Sequence, residues 1–300
     1  MTEAGERRWF RPAEWVRAAW RILLFLALFI GLFAAGALLF GRVLQTLRGP
    51  VLLLQSGVLL IAAFVAGAVL IRRVDGRPIG ALGTAWTSRT WTEMLLGLAI
   101  GVGAIGVGAG VMVAAGSLRF AADYGSVSGY ADGLLQHLWF FFVAAFAEEA
   151  LYRGYPFQVL VQTFGGVVAT VVMSVAFAVG HAGNPNVGAF GLVNIFLAGV
   201  LLSVAYLRTR SLWFPTTLHL GWNWGMASLL DLPVSGLELI DTALYEPAVR
   251  GPEWFTGGSF GPEGGLVGSL GFVAALAAVL LLPGVQPSSE MTALQPLPDG

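Results

Sequence analysis

Long stretches without a charged side chain constrain this chain more than any other feature. Residues 22–41, 49–71, 94–118, 154–207, 211–230 and 264–289 contain no Asp, Glu, Lys or Arg. A helix needs about 20 apolar residues to cross a hydrocarbon core of roughly 30 Å, and several of these stretches suffice alone. Helices of water-soluble proteins are rarely apolar on every face. Only 11% of the residues are charged and 57% are hydrophobic, against about 25% charged in soluble domains. The expected fold class is all-α, a polytopic membrane protein of about eight transmembrane helices.

Apolar runs and turn formers place these helices at about 20–40, 51–71, 92–116, 133–160, 166–182, 189–207, 213–231 and 265–283. The run 154–207 is cut at Thr163-Phe164-Gly165-Gly166 and at Ala182-Gly183-Asn184-Pro185-Asn186. Residues 133–147 are too few to span, so the fourth helix should run through Glu148 and Glu149 past Arg153, kinked at Pro156. Residues 1–300 then form a single integral membrane domain with no internal repeat and a disordered tail at 284–300. The N-terminal run is as long as a span and lacks a small-residue cleavage site, so it is not read as a secretory signal.

Charge gives the orientation. With the N-terminus cytoplasmic, Arg7, Arg8, Arg11, Arg17, Arg21, Arg72, Arg73, Arg77, Arg89, Arg153, Arg208 and Arg210 fall inside. Only Arg42, Arg48, Arg119 and Arg250 fall outside, as the positive-inside rule requires. Trp9, Trp15 and Trp20 suit an interfacial entry segment. The loop 232–264 carries Glu238, Asp241, Glu246, Glu253 and Glu263 and is expected outside. A net charge of −1 without basic blocks gives no hint of a nucleic-acid partner, and none is expected. The absence of cysteine removes disulfides, thiolate metal sites and a thiol nucleophile.

Ionisable side chains at membrane depth cost about 2.5–3.5 kcal/mol each on insertion scales, and functional sites retain them. Here they are Glu148, Glu149, Arg153, His181 and His219, accompanied by Asn194 and Asn223. Glu149 and Arg153 stand at i,i+4 and can neutralise each other. Glu148 is turned about 100° away and keeps a free carboxylate, which suits a general base or acid. Phe177 shares a helix face with His181, as His219 does with Asn223. Glu148 and His181 lie equally far from the turn at 163–166, so an antiparallel hairpin sets them at equal depth. An Asn side chain can donate to a developing oxyanion. The competing account is a buried packing network with interhelical hydrogen bonds, and it weighs more for Glu149 than for Glu148.

Other matches are set aside. Gly101-Val102-Gly103-Ala104-Ile105-Gly106 fits a dinucleotide fingerprint but has no preceding strand; with Gly97 it reads as close helix packing. Gly257-Gly258-Ser259-Phe260-Gly261 fits a hydrolase nucleophile pattern but sits in a polar loop. His137 reads as an interfacial or packing residue.

Three motifs occur in order on separate helices: Glu148-Glu149-xxx-Arg153, Phe177-xxx-His181 and His219-xxx-Asn223. Together they resemble the CAAX-protease and bacteriocin-processing (CPBP, or Abi) family of intramembrane endopeptidases, which includes CAAX prenyl proteases of type 2. The likeness covers a core at about 130–232. It implies an eight-helix bundle with a cavity between helices four, five and seven. It also implies a catalytic set of Glu148, His181 and His219. Glu148 would activate water for attack on the scissile carbonyl, the two His would orient that water or bind a metal, and Asn223 would stabilise the oxyanion. Glu149, Arg153 and Phe177 would support the geometry.

Two His and a Glu match a His₂Glu zinc set by type, so a divalent metal held by Glu148, His181 and His219 is one reading. A ligated Glu148 cannot also be a free base, and Glu149 would then be the candidate. Metal-free general-base chemistry by Glu148 is the other reading, and both stay open here. The expected partners are the bilayer and a peptide or lipid-associated protein substrate, in a bacterial cell membrane. Two further functions compete: a non-proteolytic immunity or assembly factor on the same fold, and a proton-coupled transporter using Glu148. The lack of an inverted repeat counts against the transporter.

Overall fold

The computed structural model describes residues 12–46, 51–242 and 244–295. Arg7, Arg8, Trp9, Arg11, Arg48 and the tail beyond Gln295 lie outside these residues, as does the side chain of Arg42. The chain is a bundle built from α1 (Pro12–Thr46), α2 (Val51–Arg73), α3 (Thr90–Ala114), α4 (Val127–Tyr152), α5 (Tyr155–Phe164), α6 (Gly166–Gly180), α7 (Ala189–Thr209) and α8 (Trp213–Trp224). The short α9 (Glu253–Thr256), then α10 (Leu266–Leu281) and α11 (Ser289–Leu294), follow. A π-helical turn, Gly225–Leu229, extends α8. Strands β1 (Leu118–Ala122) and β2 (Tyr245–Val249) pair antiparallel, Leu118 opposite Val249. They stitch the α3–α4 connection to the long segment after α8.

Among the described residues, five helical stretches are long and apolar enough to cross a membrane: α1, α2, α3, α4 with α5, and α7. The other three expected spans are shorter, at 15 residues for α6, 12 for α8 and 16 for α10. At 1.5 Å per residue the longest of these reaches only about 24 Å. Helix α8 is buried from Phe214 through Trp222, so its surroundings are other helices and not lipid.

The fourth helix corrects the expectation of one kinked rod over 133–160. Helix α4 ends at Tyr152, Arg153 caps it, and α5 begins at Tyr155 with Pro156 in its first turn. Proline lacks an N–H and clashes with the preceding turn inside a helix, but is tolerated at a helix start. Gly154 makes the break, because a Cβ there would collide with the Ala150 carbonyl. Glu148 and Glu149 therefore sit in the closing turns of α4.

Helix α3 positions α8 through glycine contacts. A Cβ on Gly97 would strike Thr217 and the Phe214 carbonyl, and one on Gly101 the Leu218 carbonyl and the Trp222 amide. Gly221 of α8 faces the Leu98 carbonyl in the same way. Small residues let two backbones approach this closely, and that turns His219 and Asn223 toward the centre of the bundle.

Residues 284–295, expected as disordered tail, pack onto the fold. Ser288 caps α11 by accepting from the Met291 amide, and Met291 and Gln295 are fully buried. Gln295 Nε2 donates to the Ala81 carbonyl and the Tyr206 hydroxyl. Arg77 and Arg210 bind the carbonyls of Leu294 and Gln295. A Pro- and Ser-containing segment is held here by polar pins that its own composition does not announce.

Candidate active site

Glu148 and Glu149 leave α4 in different directions, as their 100° offset requires. Glu149 points into the protein and is fully buried, receiving Arg153 Nη1 on Oε1 at 3.1 Å. The same oxygen receives His219 Nδ1 at 3.0 Å. Arg153 Nη2 donates to the Gly199 carbonyl of α7 at 3.0 Å, and its guanidinium lies 4.7 Å over the Phe177 ring. One buried arginine thus joins α4, α6 and α7, and through Glu149 it also holds the α8 histidine. The i,i+4 pair was readable from spacing; the link to His219, seventy positions away, was not.

Glu148 faces a cavity of about 380 Å³. Its side chain is 28% exposed, and its Oε2 lies 3.9 Å from His181 Nε2 and 4.0 Å from His219 Nε2. That oxygen has no hydrogen-bond partner among the described residues. His181 caps α6 at its C-terminus, and its Nδ1 stands 2.8 Å from the Phe177 carbonyl. A carbonyl only accepts, so His181 Nδ1 carries a proton, and in the neutral ring Nε2 holds the lone pair. The carboxylate of Glu149 fixes His219 in the same tautomer. With both rings neutral, one carboxylate oxygen and two imidazole nitrogens, three acceptors, face the same gap.

Phe177 supports this point from behind. Its ring centroid lies 4.5 Å from that of His181 and 6.1 Å from that of His219, and Tyr152 packs edge-on against it at 5.1 Å. Asn223 lines the same cavity, one turn beyond His219. His137 is not on the cavity wall. Asn194 is buried elsewhere, donating to the carbonyls of Glu263 and Gly265 and accepting from Ser269.

The cavity roof comes from the segment after α8. Glu263 is buried and not, as its acidic loop implied, a solvent-facing charge. Its carboxylate accepts from Trp222 Nε1 at 2.9 Å, from the Ser235 amide at 2.8 Å and from Ser235 Oγ at 2.6 Å. Ser235 in turn accepts at its carbonyl from Asn184 Nδ2 at 3.0 Å.

The metal reading can be tested against spacing. A tetrahedral zinc with bonds of about 2.0–2.1 Å holds its donors about 3.4 Å apart. The two separations from Glu148 are wider, and among the described residues no group of three His, Cys, Asp or Glu has the arrangement of a metal site. A hydrogen-bonded water, about 2.8 Å from each neighbour, bridges atoms 4 Å apart without movement. The residues match zinc by type but not by spacing, and they match a water by both.

Residues 130–225 match the family model described as Type II CAAX prenyl endopeptidase Rce1-like. The match spans α4 through α8 and contains all three motifs. No curated protein matches the chain.

Proposed function

We propose that this chain, whose residues 130–225 match the CAAX prenyl endopeptidase family model, is an intramembrane endopeptidase in which Glu148 activates a water. The family carries the coarse statement that the protein is a membrane-embedded endopeptidase. The observation that carries the finer one is the unpartnered Glu148 Oε2 between two imidazole Nε2 atoms whose other nitrogens are already engaged.

A water at that point has two protons and can donate to Glu148 and to one imidazole at a time. As its oxygen bonds to the scissile carbonyl carbon, the water proton passes to Glu148 and the carbonyl π electrons move onto oxygen. Asn223 donates to that oxyanion. Collapse breaks the C–N bond, and Glu148 returns its proton to the leaving amine. Arg153 and Glu149 keep His219 in the required tautomer, and Phe177 holds the two rings.

The substrate reading is a peptide segment or protein tail with an apolar moiety that enters from the bilayer. Leu52, Ser56 and Leu59 of α2 line both the catalytic cavity and an apolar groove of about 440 Å³ bounded on the other side by Phe33, Ala37 and Phe40 of α1. The surplus of Arg supports a cytoplasmic N-terminus.

The test is cleavage of a quenched-fluorescent peptide library by purified protein, wild type against Glu148→Gln, with and without a chelator. Cleavage that needs Glu148 and survives chelation is the expected result. Loss in chelator transfers the proposal to a zinc held by Glu148, His181 and His219. Full cleavage by Glu148→Gln defeats both.

A further inference from the structure

Peptide hydrolysis needs donors as well as acceptors, because negative charge develops on the carbonyl oxygen. The convergence point itself offers only acceptors in its resting tautomers: Glu148, His181 Nε2 and His219 Nε2. Of the polar side chains on the cavity wall, Trp222 and Ser235 have their donors committed to Glu263, and Asn184 spends one N–H on the Ser235 carbonyl of the cavity roof. Ser56 lies on α2, on the wall shared with the lipid-side groove. Among the described residues of this wall, Asn223 and Tyr152 stand one helical turn from the acceptors with no side-chain hydrogen bond of their own.

Tyr152 is one turn beyond Glu148 on the same face of α4, as Asn223 is one turn beyond His219 on α8. Its ring is held edge-on by Phe177. Its hydroxyl rests against Gly180, the residue before His181, where a Cβ would collide with it. No hydrogen bond holds this hydroxyl among the described residues. A phenol fixed by its ring, with a free O–H in a catalytic cavity, is a preorganised donor.

We infer that Tyr152 is a further catalytic residue, its hydroxyl donating to the carbonyl oxygen of the scissile bond opposite Asn223. The inference rests on the proteolytic reading above. Gly180 is then part of the site, since only a hydrogen at that position leaves room for the hydroxyl.

The test uses the full chain in detergent and the same peptide library. Tyr152→Phe keeps the ring and its packing and removes one donor. It should lower kcat about a hundredfold, with KM changed less than about twofold and the melting temperature unchanged. Gly180→Ala should lower kcat in the wild-type background by displacing the hydroxyl, and should lower it no further in Tyr152→Phe. A Tyr152→Phe protein that keeps half or more of the wild-type kcat overturns the assignment. So does a Gly180→Ala effect of equal size in both backgrounds. A lowered melting temperature with unchanged kcat would mark the hydroxyl as structural. Where Glu148→Gln abolishes cleavage and Tyr152→Phe does not reduce it, only this inference fails. No cleavage by the wild type overturns the proteolytic reading and this assignment with it.

Discussion

Replacing Arg153 by Met isolates what the buried cation does. Arg153 is fully buried and bonds to Glu149 at 3.1 Å and to the Gly199 carbonyl at 3.0 Å. Methionine keeps most of the aliphatic stem, so the loss is chiefly electrostatic. The Gly199 carbonyl still accepts from Ser203 Oγ at 2.8 Å and is not orphaned. Glu149, by contrast, becomes a buried carboxylate whose remaining partner is the His219 ring. Breaking a buried pair by removing one partner costs about 3–5 kcal/mol, and that is the destabilisation expected. Adding Glu149→Gln removes the uncompensated charge while its amide oxygen still accepts from His219 Nδ1. The double variant should therefore recover at least about 1.5 kcal/mol over Arg153→Met alone, a coupling typical of contacting residues. The assay is reversible unfolding in mixed micelles, titrated with SDS and followed by tryptophan fluorescence. An Arg153→Met midpoint equal to wild type would refute the reasoning. A double variant as unstable as the sum of the singles would refute its charge component.

Two further substitutions probe how the site is held. Gly101→Ala would drive a methyl into the α8 backbone at Leu218 and Trp222 and should destabilise by about 1–3 kcal/mol. Gly103→Ala on the same helix meets nothing within 4 Å and should be neutral or mildly stabilising; equal melting temperatures for the two would contradict the close-approach account. Glu263→Gln places an amide where Trp222 and Ser235 all donate, costing about 1–3 kcal/mol. Hydrogen exchange at the amides of residues 232–240 should accelerate, and unchanged exchange there would count against Glu263 as the pin of the cavity roof.

The helical bundle was legible because lipid-facing and core-facing positions are both apolar, so whole helices show as uncharged runs. The depth of Glu148 and His181 followed from distance to a shared turn, and their polar atoms stand 3.9 Å apart. What stayed hidden depends on tertiary contact. Pro156 reads equally as an interior kink or a helix start, and Gly154 settles it only once the Ala150 carbonyl is in view. Glu263 looks like one more acid in an acidic loop until three donors are found around it. Tyr152 reads as an ordinary aromatic, since nothing in composition distinguishes a packed phenol from one with a free hydroxyl. Gln295 is held by partners from α7 and the α2–α3 loop, neither of them near it in sequence.

The locked tautomers described for His181 and His219 bear on inhibition. A cleft that presents three lone pairs to one point rewards a ligand that brings protons to it, such as a secondary alcohol or a protonated amine at the scissile position. On the metal-free reading proposed above, an anionic warhead designed to grip a metal meets the Glu148 carboxylate and is repelled. Selectivity against zinc-dependent proteases would then come from the sign of the warhead's charge, before any difference in pocket shape is used.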